Sequence, residues 1–111
     1  MFEPGDVILV KAQYTDTSDF KLRPALILFK EMNNIILAGI TSNLSMKGIP
    51  LTKDEGAIKD SIIKLNYIFT VSQNLISKKL FNLSLEKKKQ VFDELIKRLE
   101  VLITKPQTPS L

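Results

Sequence analysis

Arg23, Thr41 and Ser42 are the side chains in this sequence on which a phosphate chemistry can be built. A guanidinium is permanently charged and grips a phosphate through two parallel hydrogen bonds. Neutral hydroxyls beside it add donors without adding charge, so the set suits a phosphodiester. Arg23 stands directly before Pro24 in "SDFKLRPALILF". The proline fixes its own φ and biases Arg23 away from helical backbone, presenting it at the entrance of an extended apolar run. Plainer readings of the same residues are a strand-flanking surface charge and a Ser/Thr pair that satisfies a turn.

What the chain lacks narrows the chemistry further. It has 111 residues with no cysteine and no histidine. Disulfides and thiolate metal sites are excluded, and so are the commonest general acid–base group and the commonest nitrogen ligand. There is no glycine-rich phosphate loop, no paired metal-ligand spacing and no nucleophile elbow. Neither a metal nor a cofactor is expected. Sixteen basic against twelve acidic residues give a net charge of +4, a mild bias toward anionic partners such as nucleic acid.

The stretch "YTDTSDFK" (residues 14–21) leads directly to Arg23. Tyr14 or Phe20 can stack on a nucleobase and Lys21 can neutralise a phosphate. Asp16 reads first as a turn-former. The lysine clusters "SKKLF" and "EKKK" read as solvated surface.

These residues need a scaffold, and the patterning supplies one. "DVILVK" (6–11), "PALILFK" (24–30) and "IILAGITS" (35–42) read as strands, with Pro24 at the first position of the second and "EMNN" as a hairpin turn. "GIPL" suits an edge strand, and "SIIKL" with "YIFTV" forms two short strands or one bent one. Pairing Phe29 with Ile36 sets residue 23 opposite residue 42, so Arg23 and the Thr41, Ser42 pair meet at one rim. After residue 83 the period changes to that of a helix. Ser84 is the N-cap, Glu86 lies in the first turn, and Val91, Phe92, Leu95, Ile96, Leu99 and Leu102 form an apolar stripe of about five turns. The expectation is one domain over 1–104, mainly β: a small SH3-like barrel with a C-terminal helix laid against it. Residues 105–111 are expected to be a disordered tail. The longest apolar runs are six residues, far short of the roughly twenty a membrane span needs. The start "MFEPGD" lacks the pattern of a signal peptide, so a cytoplasmic protein is expected.

Taken in order, "PGDVILV", "YTD", "RPALIL", "ITSN", "EGAIKDSII", "TV" and the helix "LSLEKKKQVFDEL" resemble the MazF/PemK family of toxin–antitoxin ribonucleases. The likeness runs from about residue 4 to 102. It implies the MazF/CcdB-type barrel, a homodimer, metal-independent cleavage of single-stranded RNA (mRNA) to a 2′,3′-cyclic phosphate and a 5′-hydroxyl, and inhibition by a cognate antitoxin. It further implies that Arg23 and Thr41, with Ser42 beside them, carry catalysis. The family's "DQxRTV" stretch reads "NYIFTV" here, with Asn66 at the aspartate and Phe69 at the basic residue. Lys64 and Asn66 are the RNA-binding candidates of that segment. "KKIGRLS" reads "KKLFNLS". Two alternatives stand beside this reading: a CcdB-like toxin that binds gyrase, and a non-catalytic SH3-like binding module.

Overall fold

The computed structural model describes residues 1–13 and 20–104, with side chains for 1–11 and 21–104. Six strands form one antiparallel sheet: β1 (Asp6–Gln13), β2 (Phe20–Glu31), β3 (Asn34–Thr41), β4 (Ile49–Leu51), β5 (Ser61–Ser72) and β6 (Ile76–Asn82). Their order across the sheet is β4-β5-β3-β2-β1-β6. One helix, α1 (Leu85–Leu99), follows. The architecture is the expected one: mainly β, a curled half-barrel with a C-terminal helix.

Alternation along the strands produces two apolar layers. One face gathers Val7, Leu26, Ala38, Ile40, Ile63 and Leu65 with Ile49 and Leu51 of β4. Leu80 and Phe81 of β6 pack on the same cluster, so the curl brings the two edge strands toward each other. The opposite face gathers Ile8, Val10, Ala25, Ile27, Ile35, Leu37 and Ile76, with Phe2, Phe69, Val71 and Leu75 packed against it.

Several expectations are corrected. Pro24 lies well inside β2, opposite Leu9, not at its first position. The ladder with β3 begins only at Ala25, which leaves one side of Pro24 unpaired, where a residue without an N–H is tolerated. The lysines of "SKKLF" are solvated, as expected, but the segment also forms edge strand β6 paired to β1, which the sequence reading did not place; exposed lysines suit an edge. Of the two readings of "SIIKL" and "YIFTV", the single bent strand is the one found. Between Ala38 opposite Ile68 and Gly39 opposite Lys64, β5 accommodates residues 65–67 without partners.

The hairpin turn is two residues, Met32 and Asn33, with Glu31 opposite Asn34 and Met32 at φ 56. Ser84 caps α1 by accepting a hydrogen bond from the Lys87 N–H at 3.1 Å, as the sequence indicates. Lys87 then anchors the first turn, donating to the Pro50 carbonyl at 2.8 Å and pairing with Glu55 at 3.1 Å. The rest of the helix is less engaged than its pattern suggests. Val91 is buried and Leu95 packs on the core, but Phe92, Ile96 and Leu99 are exposed. The helix stops at Leu99 in about four turns, and Leu102 belongs to a 3-10 turn. Periodicity reports the stripe; it cannot report how much of the stripe this chain covers.

Candidate functional site

Directly opposed residues of an antiparallel pair share a face. Arg23 of β2 opposes Val10, a member of the layer that also holds Ala25 and Ile27. On β3 this face carries Ile35 and Leu37 and, by alternation, Gly39 and Thr41. Lys64 opposes Gly39, and Lys21 opposes Ala12 two residues beyond Val10. Arg23, Thr41, Lys64 and Lys21 therefore share one face, at the end of the sheet remote from the Met32 turn.

The register that achieves this is not the one expected. Phe29 does oppose Ile36, but a bulge leaves Leu28 unpaired, so Ile27 opposes Leu37 and Ala25 opposes Gly39. Carried two residues further, that register sets Arg23 across from Thr41 instead of Ser42. The difference is one of face as well as of partner, because a shift of one residue turns every side chain over. Without the bulge residue Thr41 would point away from Arg23. Ser42 lies just past the end of β3, exposed.

The ladder between β2 and β3 ends at Ala25 and Gly39, and a cavity of about 400 Å³ opens beside the splayed ends. Arg23, Thr41 and Ser42 line its rim, together with Lys21, Lys59 and Ser61, while Val7, Ile40, Leu51 and Phe81 of the layer on the other face form its apolar wall. Among the described lining residues there are three cations and no carboxylate. Such a concentration of one sign favours an anion. The sequence reading did not single out Lys59, Ser61 or Phe81. Curling of β6 toward the turn after β4 brings them there, and no local pattern signals that approach. Phe81 packs so closely on Gly56 that a Cβ there would lie 2.8 Å from its ring.

The Thr41 hydroxyl has a fixed setting. Its oxygen accepts from the Asn43 N–H at 3.1 Å, and Asn43 in turn accepts from the Ser45 N–H at 3.1 Å and from its hydroxyl at 2.7 Å. The plain reading of a turn-satisfying threonine is thus met. A hydroxyl that has used a lone pair still carries its hydrogen. Thr41 can satisfy its turn and donate to a substrate oxygen at once.

Below the cavity, Thr52 and Glu55 form a capping box. The Thr52 N–H and hydroxyl donate to Glu55 Oε1 at 2.9 and 3.1 Å. Burial alone would push the Glu55 carboxyl up, but hydrogen bonds from Thr52 and the charge of Lys87 outweigh it and hold the pKa below its ordinary value.

Of the remaining candidates, Asn66 is exposed within the unpaired stretch of β5. Tyr14 and Asp16 lie outside the described residues, as does the side chain of Phe20, whose backbone opposes Gln13. So does the 105–111 tail. Tyr67, which the sequence reading passed over, is 61 % exposed and stands over Gly39. No group of three or more carboxylates able to hold a metal occurs among the described residues.

This arrangement sits in a fold with relatives. Residues 3–99 match the family model described as PemK-like, MazF-like toxin of type II toxin-antitoxin system. Among solved structures, an endoribonuclease in complex with its cognate antitoxin from a mycobacterial species superposes with a TM-score of 0.69 at 12 % identity. That match covers 94 % of this chain and 96 % of the other. The Mycobacterium tuberculosis toxin MazF-mt6 superposes with a TM-score of 0.60 at 20 % identity, covering 85 % of this chain and 96 % of that one. No curated protein sequence matches the chain. The fold is a small half-barrel with a cationic cavity at one end. The chain belongs to the PemK-like, MazF-like toxin family of type II toxin–antitoxin systems.

Proposed function

We propose that this toxin is an endoribonuclease that cuts single-stranded RNA without a metal, leaving a 2′,3′-cyclic phosphate and a 5′-hydroxyl. The observation that carries the reading is the meeting of Arg23 and Thr41 on one face, beside a cavity whose described lining holds cations and no carboxylate. Attack of the ribose 2′-oxygen on the adjacent phosphorus forms one P–O bond and breaks the bond to the 5′-oxygen. The 2′-hydroxyl loses a proton and the departing 5′-oxygen gains one. Between those events the phosphorane carries extra negative charge, and preorganised donors aimed at it lower the barrier.

Arg23 clamps that charge from a position fixed by Pro24 and the β1 ladder. Thr41 donates from a hydroxyl already oriented by Asn43. Ser42 adds a second hydroxyl at the rim. Lys21 and Lys64 hold flanking phosphates, and Asn66 contacts RNA from the bent part of β5. A guanidinium surrenders its proton poorly, so turnover is modest. The base that takes the 2′ proton is a water or a group outside the cavity's described lining.

The deciding assay incubates mixed-sequence RNA with the protein in EDTA, beside Arg23→Ala and Thr41→Ala. Cleavage by wild type with cyclic-phosphate ends, nearly lost in Arg23→Ala and slowed roughly tenfold in Thr41→Ala, is the expected result. Intact RNA with folded wild-type protein would overturn the enzyme reading and favour a binding role. The same proposal includes a cytoplasmic homodimer, a single domain over 1–104, and an antitoxin that binds and silences the toxin. Sedimentation at twice the chain's 12.6 kDa checks the dimer.

A further inference from the structure

Tyr67 is a large aromatic that burial does not explain. It is 61 % exposed, yet its ring is held in place. A Cβ built on Gly39 would fall 2.6 Å from Tyr67 Cδ2, so the ring rests directly on the bare backbone of that glycine. Phe69 stands beside it, ring centroids 5.3 Å apart and planes tilted by 32°. Phe69 is itself packed against the apolar layer beneath. Tyr67 therefore has a floor and a buttress, and its outer side is open.

Its position matters as much as its exposure. Gly39 lies on the face that carries Thr41, two residues earlier on β3, a separation of about 7 Å along a strand. Across the ladder Gly39 opposes Ala25, two residues from Arg23, and on the other side it opposes Lys64. The ring thus lies between the Arg23 and Thr41 pair and the remaining apolar face, with a lysine next to it. An exposed aromatic alongside fixed cations is how single-stranded RNA is gripped: phosphates on the charges, splayed bases on the rings.

We propose that Tyr67, seated on Gly39 and buttressed by Phe69, is the stacking platform for one unpaired base of the RNA whose phosphate Arg23 holds. This rests on the ribonuclease reading above and adds to it a residue that sets substrate preference. The bend in β5 is what makes the platform: residues 65–67 leave the ladder, and that departure lets the Tyr67 side chain fold back over β3. Gly39 has ordinary backbone dihedrals, so its lack of a side chain serves the ring above it.

The test uses 2′-O-methyl RNA hexamers, which lack the nucleophile and bind without being cut. The chain has two tyrosines and no tryptophan, so ring-labelled tyrosine gives two sets of NMR signals, assigned with Tyr14→Phe. The expected result is an upfield shift of the Tyr67 ring signals on adding RNA. Tyr67→Leu should weaken binding roughly five- to a hundredfold, the loss of one base–aromatic stack, while Tyr67→Phe stays within about threefold of wild type. Gly39→Ala should weaken binding in the same sense by displacing the ring, with the protein still folded by circular dichroism. If RNA binds and Arg23→Ala weakens it, yet the Tyr67 ring is unmoved and Tyr67→Leu binds like wild type, the platform is refuted and the ribonuclease reading survives. If folded wild-type protein binds no hexamer of any sequence, both fall together.

Discussion

The β2–β3 hairpin has two ends that behave differently. At the turn end the strands are paired to the last residue, Glu31 opposite Asn34, and two residues reverse the chain. At the other end pairing stops at Ala25 and Gly39 while both strands run on to Arg23 and Thr41. The turn end is paired throughout and exposes Glu31, Met32, Asn33 and Asn34, a carboxylate and two amides with no cation among them. The open end carries cations, an oriented hydroxyl and a cavity. The candidate groups sit where the ladder gives out, and the bulge at Leu28 decides which of them look the same way.

That contrast can be broken or sharpened by substitution. Arg23→Ala, at the open end, is expected to lower cleavage at least about a hundredfold, the usual effect of removing a donor to developing charge. The exposed side chain should leave the urea midpoint unmoved; a large loss of stability would show that Arg23 serves the fold instead. Leu37→Ala empties the fully buried layer beneath both ends and should cost about 3 kcal/mol in urea unfolding. Thr41→Ala is expected to cost roughly tenfold in rate, the worth of one hydrogen bond, with Thr41→Ser restoring most of it. Met32→Gly, at the turn end, relieves a positive φ and should raise stability by about 0.5 kcal/mol with cleavage unchanged. If Met32→Gly altered cleavage as Arg23→Ala does, the two ends would not be separable.

The smallest effect concerns pH. Glu55 has its pKa lowered by folding, so its contribution is fully present above the ordinary carboxylate pKa of about 4.3 and is lost as pH falls through the lower folded value. Glu55→Gln should flatten that acid limb of the stability curve, measured by urea midpoints at a series of pH values.

Much of this was legible in the chain because local chemistry dictated it. The apolar runs in "DVILV" and "IILAGIT", the short turn in "EMNN" and the Ser84 cap each follow from a few neighbouring residues. Arg23 stood out as a candidate through Pro24, and Thr41 through its place at a strand end. The misses have the opposite character. The Leu28 bulge depends on which side chains two strands can bury together, and nothing in "PALILF" marks one leucine as supernumerary. β6 was hidden because a strand bearing adjacent lysines resembles surface until its partner is known. Tyr67 did not stand out as a candidate because its setting comes from Gly39, far away in sequence and directly beneath it in space. The apolar stripe of α1 was read correctly as a pattern and wrongly as buried surface.

One contact joins the ends of the story in time. The Asp6 carboxylate, fully buried, accepts from the Asn82 side chain at 2.8 Å, 76 residues away, while Gly5 accepts from the Leu83 N–H. Every other ladder except this β1–β6 seam joins strands much nearer in sequence. Loop closure penalises distant pairings, so the seam should form last, after β2, β3 and β5 have assembled. On the ribosome, β1 must then wait with one edge open until residues 76–82 have emerged. Asn82→Ala should accordingly accelerate unfolding and leave the refolding rate nearly untouched, the mark of an interaction made after the barrier is crossed.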